Sequence, residues 1–236
     1  MDNAVHEIAK RLRGIAEPDR AAKHQKFFKT GKGEYGEGDK FIGVRVPLIR
    51  KLLREFRGLS LEEINTLLFS PWHEERLFAL LMMDDLFKRG DGKRKEEIYN
   101  LFMNSTSQIN NWDLVDSSAP YIAGAWLFDR DRTPLFRFAE SDNLWERRIA
   151  IISTQYFIRR NDFADTLRIA EILLEDREDL IHKAVGWMLR EVGNRNMHTE
   201  ERFLKKHYKR MPRTMLRYAI EKFPEEKRQM YLKGLI

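Results

Sequence analysis

The chain has 236 residues, 42% of them hydrophobic, enough for one large domain or an elongated array with a continuous core. It has no cysteine, which excludes disulfides, thiolate zinc sites and catalytic thiols. Lys and Arg number 43 against 37 Asp and Glu; the net charge of +6 suits a polyanion partner if the cations cluster, and serves solubility if they do not. Met1 to Leu12 is broken by His6, Glu7, Lys10 and Arg11, so it lacks the apolar centre of a signal peptide. No apolar run approaches the roughly 20 residues that span a bilayer. A soluble, cytoplasmic protein is expected.

Almost every segment reads at the helical period. Val5, Ile8, Leu12 and Ile15 form an apolar stripe that ends before Pro18, and a short amphipathic stretch follows through Phe27 and Phe28. Residues 30–39 carry Gly31, Gly33, Gly36 and Gly38. No strand precedes this stretch and no GK[ST] ends it, so it reads as a flexible loop rather than a phosphate cradle. Pro47 opens a helix with Leu48, Ile49, Leu52, Leu53 and Phe56 inward, and Ser60 with Glu63 makes a capping box for the next one. Ser70 and Pro71 start a helix with proline at its first position, and Gly90 stops it. Further helices are predicted over 93–103, 111–127, 134–139, 143–160, 163–174, 178–192, 200–209 and 214–223, with a short last one after Pro224. No strand-type alternation occurs, so the protein is expected to be all-α.

Arg76, Trp112, Arg148 and Lys183 fall at intervals of 36, 36 and 35 residues, each early in a predicted helix. The spacing is slightly under the roughly 40–47 residues of HEAT units. It indicates a superhelical solenoid of HEAT-like antiparallel helix pairs, a single domain over 1–236, whose equivalent positions line a basic concave face.

That register brings Trp112 and Asp116, Arg148, and Lys183 with Trp187 onto one face, with Arg76 at its far end and Arg147 and Arg190 flanking. Four residues apart, Trp112 and Asp116 share one side of their helix. Each residue has an ordinary explanation: a helical Trp is usually core, a lone Asp a solvated charge, an Arg or Lys a snorkelling surface cation. Their convergence is what points to a site. Cations with aromatics in a groove suit nucleic acid. A carboxylate among phosphates points further, to chemistry that develops positive charge. Cleavage of an N-glycosidic bond does so, because the deoxyribose becomes oxocarbenium-like as the base departs. Asp116 can oppose that charge or position a water, and Trp112 and Trp187 can lend it their π faces.

The segments Asn-Trp-Asp-Leu-Val-Asp (111–116), Ser-Asp-Asn-Leu-Trp-Glu-Arg-Arg (141–148) and Lys-Ala-Val-Gly-Trp-Met-Leu-Arg-Glu (183–191) resemble the AlkD family of bacterial DNA alkylation-repair glycosylases. The resemblance runs from Phe27-Phe28-Lys29 to about Arg195. It implies HEAT-like repeats around a DNA-binding face and excision of N3-alkyladenine and N7-alkylguanine from double-stranded DNA, by a monomer without metal or cofactor. It also implies roles: Trp112 and Trp187 pack on the lesion's sugar, Asp116 is the catalytic carboxylate, and Arg148 lies beside the backbone phosphate. Lys183, Arg76, Arg147, Arg190 and Phe27 complete the expected DNA contacts. Family members act without drawing the base into a pocket, so no deep base-sized cavity is expected. Asn111 stands where an additional aromatic can occur, Asp179-Leu180 replaces an aromatic pair, and Phe27 stands where a tyrosine can lie.

Two other readings stay open. A non-catalytic helical-repeat module could bind DNA of unusual shape or a protein partner, although a binding-only surface gains nothing from Asp116. A metal-dependent hydrolase is weakly supported, because His6, His24, His73, His182, His198 and His207 form no paired-ligand spacing. The basic run Lys205 to Arg210, with Arg213 and Arg217, reads more readily as a solvated face than as an extension of the DNA track.

Overall fold

The computed structural model describes residues 2–236, with side chains from residue 4 onward. Among the described residues there are helices and no strand; an isolated bridge between Lys40 and Trp72 is the single β-type pairing recorded. The chain is all-α. It divides into two compact units, Met1–Ser118 and Ala119–Ile236.

The first unit contains α1 (Asp2–Gly14), α2 (Pro18–Phe27), α3 (Val46–Leu53), α4 (Leu61–Leu68), α5 (His73–Arg89), α6 (Gly92–Asn104) and α7 (Trp112–Ser118). Ile8 and Leu12 of the first stripe are fully buried, whereas Ile15 lies past the helix and is exposed. In α3, Ile49, Leu52 and Leu53 face the core, but Leu48 is exposed. Ser60 and Glu63 form the expected capping box, side chain to backbone in both directions. The proline-first start of α5 is corrected: the helix begins at His73. Ser70 Oγ instead accepts the Trp72 N–H and bonds Glu75 Oε2, so Pro71 sits in a turn ahead of the helix. The helix then carries apolar residues on all sides, and it is buried accordingly along most of its length.

The second unit contains α8 (Ala125–Leu127), α9 (Thr133–Ala139), α10 (Leu144–Ser153), α11 (Gln155–Ile158), α12 (Ala164–Ile172), α13 (Asp179–Arg195), α14 (Met197–His207), α15 (Arg213–Ala219) and α16 (Glu225–Lys233). Two helices predicted as continuous are divided. Pro120 has no N–H to give the Asp116 carbonyl, so the 111–127 stretch ends α7 at Ser118 and makes a π turn before α8, with Gly124 N bonded to Ala119 O. The 143–160 stretch breaks at Thr154, whose hydroxyl donates to the Ile151 carbonyl at 2.7 Å. No helix among the described residues is long and apolar enough to cross a membrane.

The loops that lead into three of the helices repeat one geometry, but in a register one residue away from that predicted. Arg76 Nη1 donates to the Ser70 carbonyl, Arg147 Nη1 to the Ser141 carbonyl, and His182 Nε2 bonds the Asp176 carbonyl. Each spans six residues. At each loop's first residue a side-chain oxygen also accepts the N–H two residues on: Trp72 onto Ser70, Asn143 onto Ser141, Glu178 onto Asp176. Arg76 is therefore equivalent to Arg147 and His182, not to Arg148 and Lys183. The hydrogen bonds that close the loop define the repeat, and they are met by whichever long polar side chain stands at that point.

Candidate functional site

Trp112 opens α7 because Asn111 ends the preceding loop with its side chain turned onto the helix, Oδ1 accepting the Trp112 N–H at 2.9 Å. Asn111 is fully buried, and its amide also reaches Asp39. That double duty explains why no aromatic stands there. Trp112 and Asp116 follow one turn apart on α7, both half-buried. The indole is braced from behind: Phe28 stacks on it at 5.2 Å and 20°, Phe41 stacks on Phe28 at 4.9 Å and 17°, and Phe27 meets the indole edge-on at 5.9 Å. Phe27 itself is largely exposed.

Behind this aromatic wall lies a buried charge cluster. His73 Nδ1 bonds Asp39 Oδ2 and His73 Nε2 bonds Asp113 Oδ2, both at 2.8 Å. Arg76 Nη2 donates to Asp39 Oδ1 at 2.7 Å and to Asn110 Oδ1 at 3.2 Å. Burial alone would push the His73 imidazole down, but Asp113 and then Asp39 overcome it and raise its pKa to about 9, so the ring is a cation at neutral pH. Asp39 is held below the usual carboxylate range, against its own burial, by His73 and Arg76. Asp39 ends the glycine-rich loop, so the cluster ties that loop to the first turns of α5 and α7. The loop is closed and bonded rather than free, with Gly31 and Gly33 N–H groups on Glu34 and Glu37 and Gly36 N on the Lys29 carbonyl.

Next to the cluster, Glu74 receives three backbone N–H groups, from Ile42, Gly43 and Val44. Gly43 is required at this bend: its φ is +89°, and a Cβ would lie 2.3 Å from the Glu17 carbonyl oxygen. A cavity of about 350 Å³ is lined by the aromatic Phe27, Phe28 and Trp112 and the aliphatic Val44, Val46 and Leu77; Glu74 and Asp113 also line it.

The remaining residues of the expected site belong to the second unit. Arg148 on α10 is buried and donates to the Leu180 carbonyl at 2.6 Å. Arg147 grips Asp176 at 2.6 Å as well as the Ser141 and Asp142 carbonyls. Lys183 pairs with Asp179 at 2.7 Å, and Arg190 pairs with Glu221. Trp187 on α13 is half-buried, its indole N–H on Glu191 at 3.1 Å. Gly186 beside it lets α13 close on α15, where a Cβ would lie 2.4 Å from the Met215 carbonyl oxygen. Arg76, expected as a DNA-facing cation, is corrected: it is 4% exposed and committed to Asp39, Ser70 and Asn110. In the basic C-terminal run, Lys206 and Arg210 pair with Glu171 and Glu175. Among the described residues no group of three or more His, Asp or Glu is arranged to hold a metal ion.

Asp39, His73, Glu74 and Asp113 were not singled out from the sequence. A search for metal-type spacing passes over His73, whose partners are carboxylates 34 and 40 residues away. The run His73-Glu74-Glu75-Arg76, four charged residues opening an otherwise apolar helix, is the signal that could have found them.

Three solved structures share this fold over nearly the whole of both chains. A "Predicted DNA alkylation repair enzyme from Enterococcus faecalis" superimposes with a TM-score of 0.69 at 19% identity, covering 89% of this chain and 97% of its own. The smu.31 protein of Streptococcus mutans UA159 gives 0.53 at 19% identity, with 86% and 96% covered. AlkD2 from Streptococcus mutans gives 0.52 at 20%, with 87% and 98% covered. No curated protein matches the chain. The family model for DNA alkylation repair enzymes matches residues 8–223, and the chain belongs to that family.

Proposed function

We propose that the protein is a DNA glycosylase that excises positively charged alkylated purines, N3-alkyladenine and N7-alkylguanine, from double-stranded DNA. The observation that carries this reading is Trp112 and Asp116 one turn apart on α7, with the indole backed by Phe28 so that ring and carboxylate hold one geometry. In the reaction the glycosidic bond breaks and its electron pair leaves with the base, neutralising the lesion's charge. The deoxyribose takes on positive charge, and water adds to it and gives up a proton. Asp116 opposes the developing cation and orients the water, while Trp112 and Trp187 present π faces to it. The resemblance assigns Arg148 to the neighbouring phosphate, which its guanidinium, now buried and on the Leu180 carbonyl, must turn to meet. The lesion brings its own charge, so no general acid is required for the departing base. Family membership supports a role in DNA alkylation repair.

The test is single-turnover release of 7-methylguanine from a duplex with one lesion, wild type against Asp116→Asn, which removes the charge and nearly keeps the shape. The expected loss is about 100-fold, roughly 2.7 kcal/mol of transition-state stabilisation. Absence of release by the wild-type protein would sink the reading.

One observation favours a second reading, a binding module without catalysis. Arg147, Lys183 and Arg190, expected along the DNA track, each have an acidic partner within their own unit. Equal DNA affinity for wild type and Asp116→Asn, with no release by either, would select it.

A further inference from the structure

We propose that a second cavity of the first unit, between the end of α3 and the last turns of α5, binds a phosphate group, free or as a monoester. The site is separate from Trp112 and Asp116 and does not rest on the glycosylase reading. Asp84 stands eleven residues beyond His73 on α5, about 16 Å along the helix from the cluster behind the indole.

Size comes first. The cavity holds about 220 Å³, below the roughly 300–1,000 Å³ of sites for whole small molecules, so it suits a compact ion and not an entire nucleotide. Arg50, Arg54 and Arg57 line it from α3 and the turn that follows, and Asp84, Asp85 and Lys88 from α5. The rest of the lining is apolar, Leu53 and Leu81, both buried.

Charge then selects the occupant. The lining carries four cations against two carboxylates. Both carboxylates are taken, Asp84 by Lys88 at 2.6 Å and Asp85 by Arg57 at 3.5 Å and Arg89 at 2.5 Å. Among the described residues Arg50 and Arg54 make no ion pair, and Arg50 acts on Asp84 only from beyond ion-pair distance. Arg54 keeps helical backbone at the end of α3, so the two arginines lie one turn apart on the same side, where like charges repel. The ordinary explanation is that cations complement the negative ends of helices. The C-termini of α3 and α5 are each worth about half an elementary charge, and Arg89 behind Asp85 offsets that. A surplus of about two positive charges remains. It matches the charge of about −1.5 to −2 on a phosphate monoester at neutral pH, whose three oxygens suit guanidinium forks. A carboxylate brings about half that charge and one oxygen fewer.

The probe is inorganic phosphate, compared with acetate by calorimetric titration of the full-length protein. Phosphate should bind saturably, at one site, and at least about tenfold tighter than acetate. Replacing both free arginines, Arg50→Gln with Arg54→Gln, should weaken phosphate about tenfold or more. Without phosphate the double variant should melt at or above the wild-type temperature, because a repelling pair has gone; with phosphate it should lose the rise in melting temperature that the wild type shows. No saturable binding, equal binding of phosphate and acetate, or phosphate binding indifferent to the two substitutions each overturns the proposal. So does a double variant that melts lower without phosphate, since the arginines would then serve the fold. The comparison of phosphate with acetate needs no variant, so a misfolded one does not rescue it. The source of the phosphate is read with a short undamaged duplex carrying either 5′-phosphates or 5′-hydroxyls. Tighter binding of the phosphorylated duplex, lost in the double variant, assigns the site to a DNA strand end. Binding of inorganic phosphate without that gain assigns it to a free phosphorylated small molecule.

Discussion

Asp113 Oδ2 and His73 Nε2 lie 2.8 Å apart, joining the first turn of α7 to the first turn of α5 across 40 residues of sequence. The contact fixes Asp113, and with it the neighbouring Trp112, to the most buried helix of the first unit. It is also charged. The His73 pKa is raised to about 9 against an ordinary 6.5, so its contribution to stability is complete below pH 6.5 and is lost as the pH rises through 9. The shift corresponds to about 3 kcal/mol at most. Denaturant unfolding from pH 6 to 10 should therefore show stability falling over that window. His73→Gln should be less stable at pH 6 and lack this part of the decline. A variant that keeps the wild-type slope would assign the decline elsewhere.

Arg76 is predicted to matter for folding and not for DNA. Its partner Asp39 is 7% exposed, so Arg76→Ala leaves a buried carboxylate short of one cation, at a cost of about 3–5 kcal/mol. Arg76→Lys keeps the charge but not the fork that reaches Asp39, Ser70 and Asn110 together, and should fall in between. The salt dependence of DNA binding, measured on whatever fraction is folded, should be unchanged in both. A slope smaller by about one in the folded fraction of Arg76→Ala, restored in Arg76→Lys, would show that the residue does contact a phosphate.

The helical class, the Ser60–Glu63 cap and the stop at Gly90 were legible in the sequence because each depends on residues within a few positions of one another. Trp112 and Asp116 were legible as neighbours for the same reason. The breaks at Pro120 and Thr154 carry local signals as well, a missing N–H and a hydroxyl that bonds backward, but both fall inside apolar runs whose period continues unbroken. The repeat was legible and its register was not: Arg147 and Arg148 are equivalent by residue type, and only the bond to the Ser141 carbonyl separates them. The Asp39–His73–Asp113 cluster was illegible because three helix and loop ends meet there from distant parts of the chain.

Glu200 gives a prediction in the second unit. Burial, reinforced by Glu201, raises its pKa to about 9, and its Oε1 has no hydrogen-bond partner. Here the folded state holds a proton that the unfolded state releases above its ordinary 4.5. Stability contributed by this residue is therefore lost steadily between pH 4.5 and 9. Glu200→Gln removes the titration while keeping the shape. It should leave stability near wild type at pH 4 and raise it at pH 8, by about 5 kcal/mol at most. Comparison of melting temperatures at those two values checks the sign. A variant that loses stability at pH 8 would mean that the carboxylate is ionised and paired in the folded protein.

Phe28 supplies the last prediction, and it separates bracing from contact. The ring is 7% exposed and lies between Trp112 and Phe41, in stacked contact with both. Phe27 touches the same indole edge-on from outside. If catalysis depends on where the indole is held, Phe28→Leu should slow single-turnover base release by about tenfold or more, since small misplacements of a positioned group cost that much. Its affinity for undamaged DNA should stay within about twofold of wild type, because no DNA-facing surface is removed. Phe27→Ala should do the reverse, weakening DNA binding with a smaller effect on release. Tryptophan anisotropy, read in a background with the other four tryptophans replaced by Phe, gives a readout independent of activity: the Trp112 indole of Phe28→Leu should move more freely, while that of Phe27→Ala should change little. Release unaffected by Phe28→Leu, with the indole demonstrably loosened, would mean that Trp112 acts through its bulk in the groove and not through a fixed orientation toward the sugar.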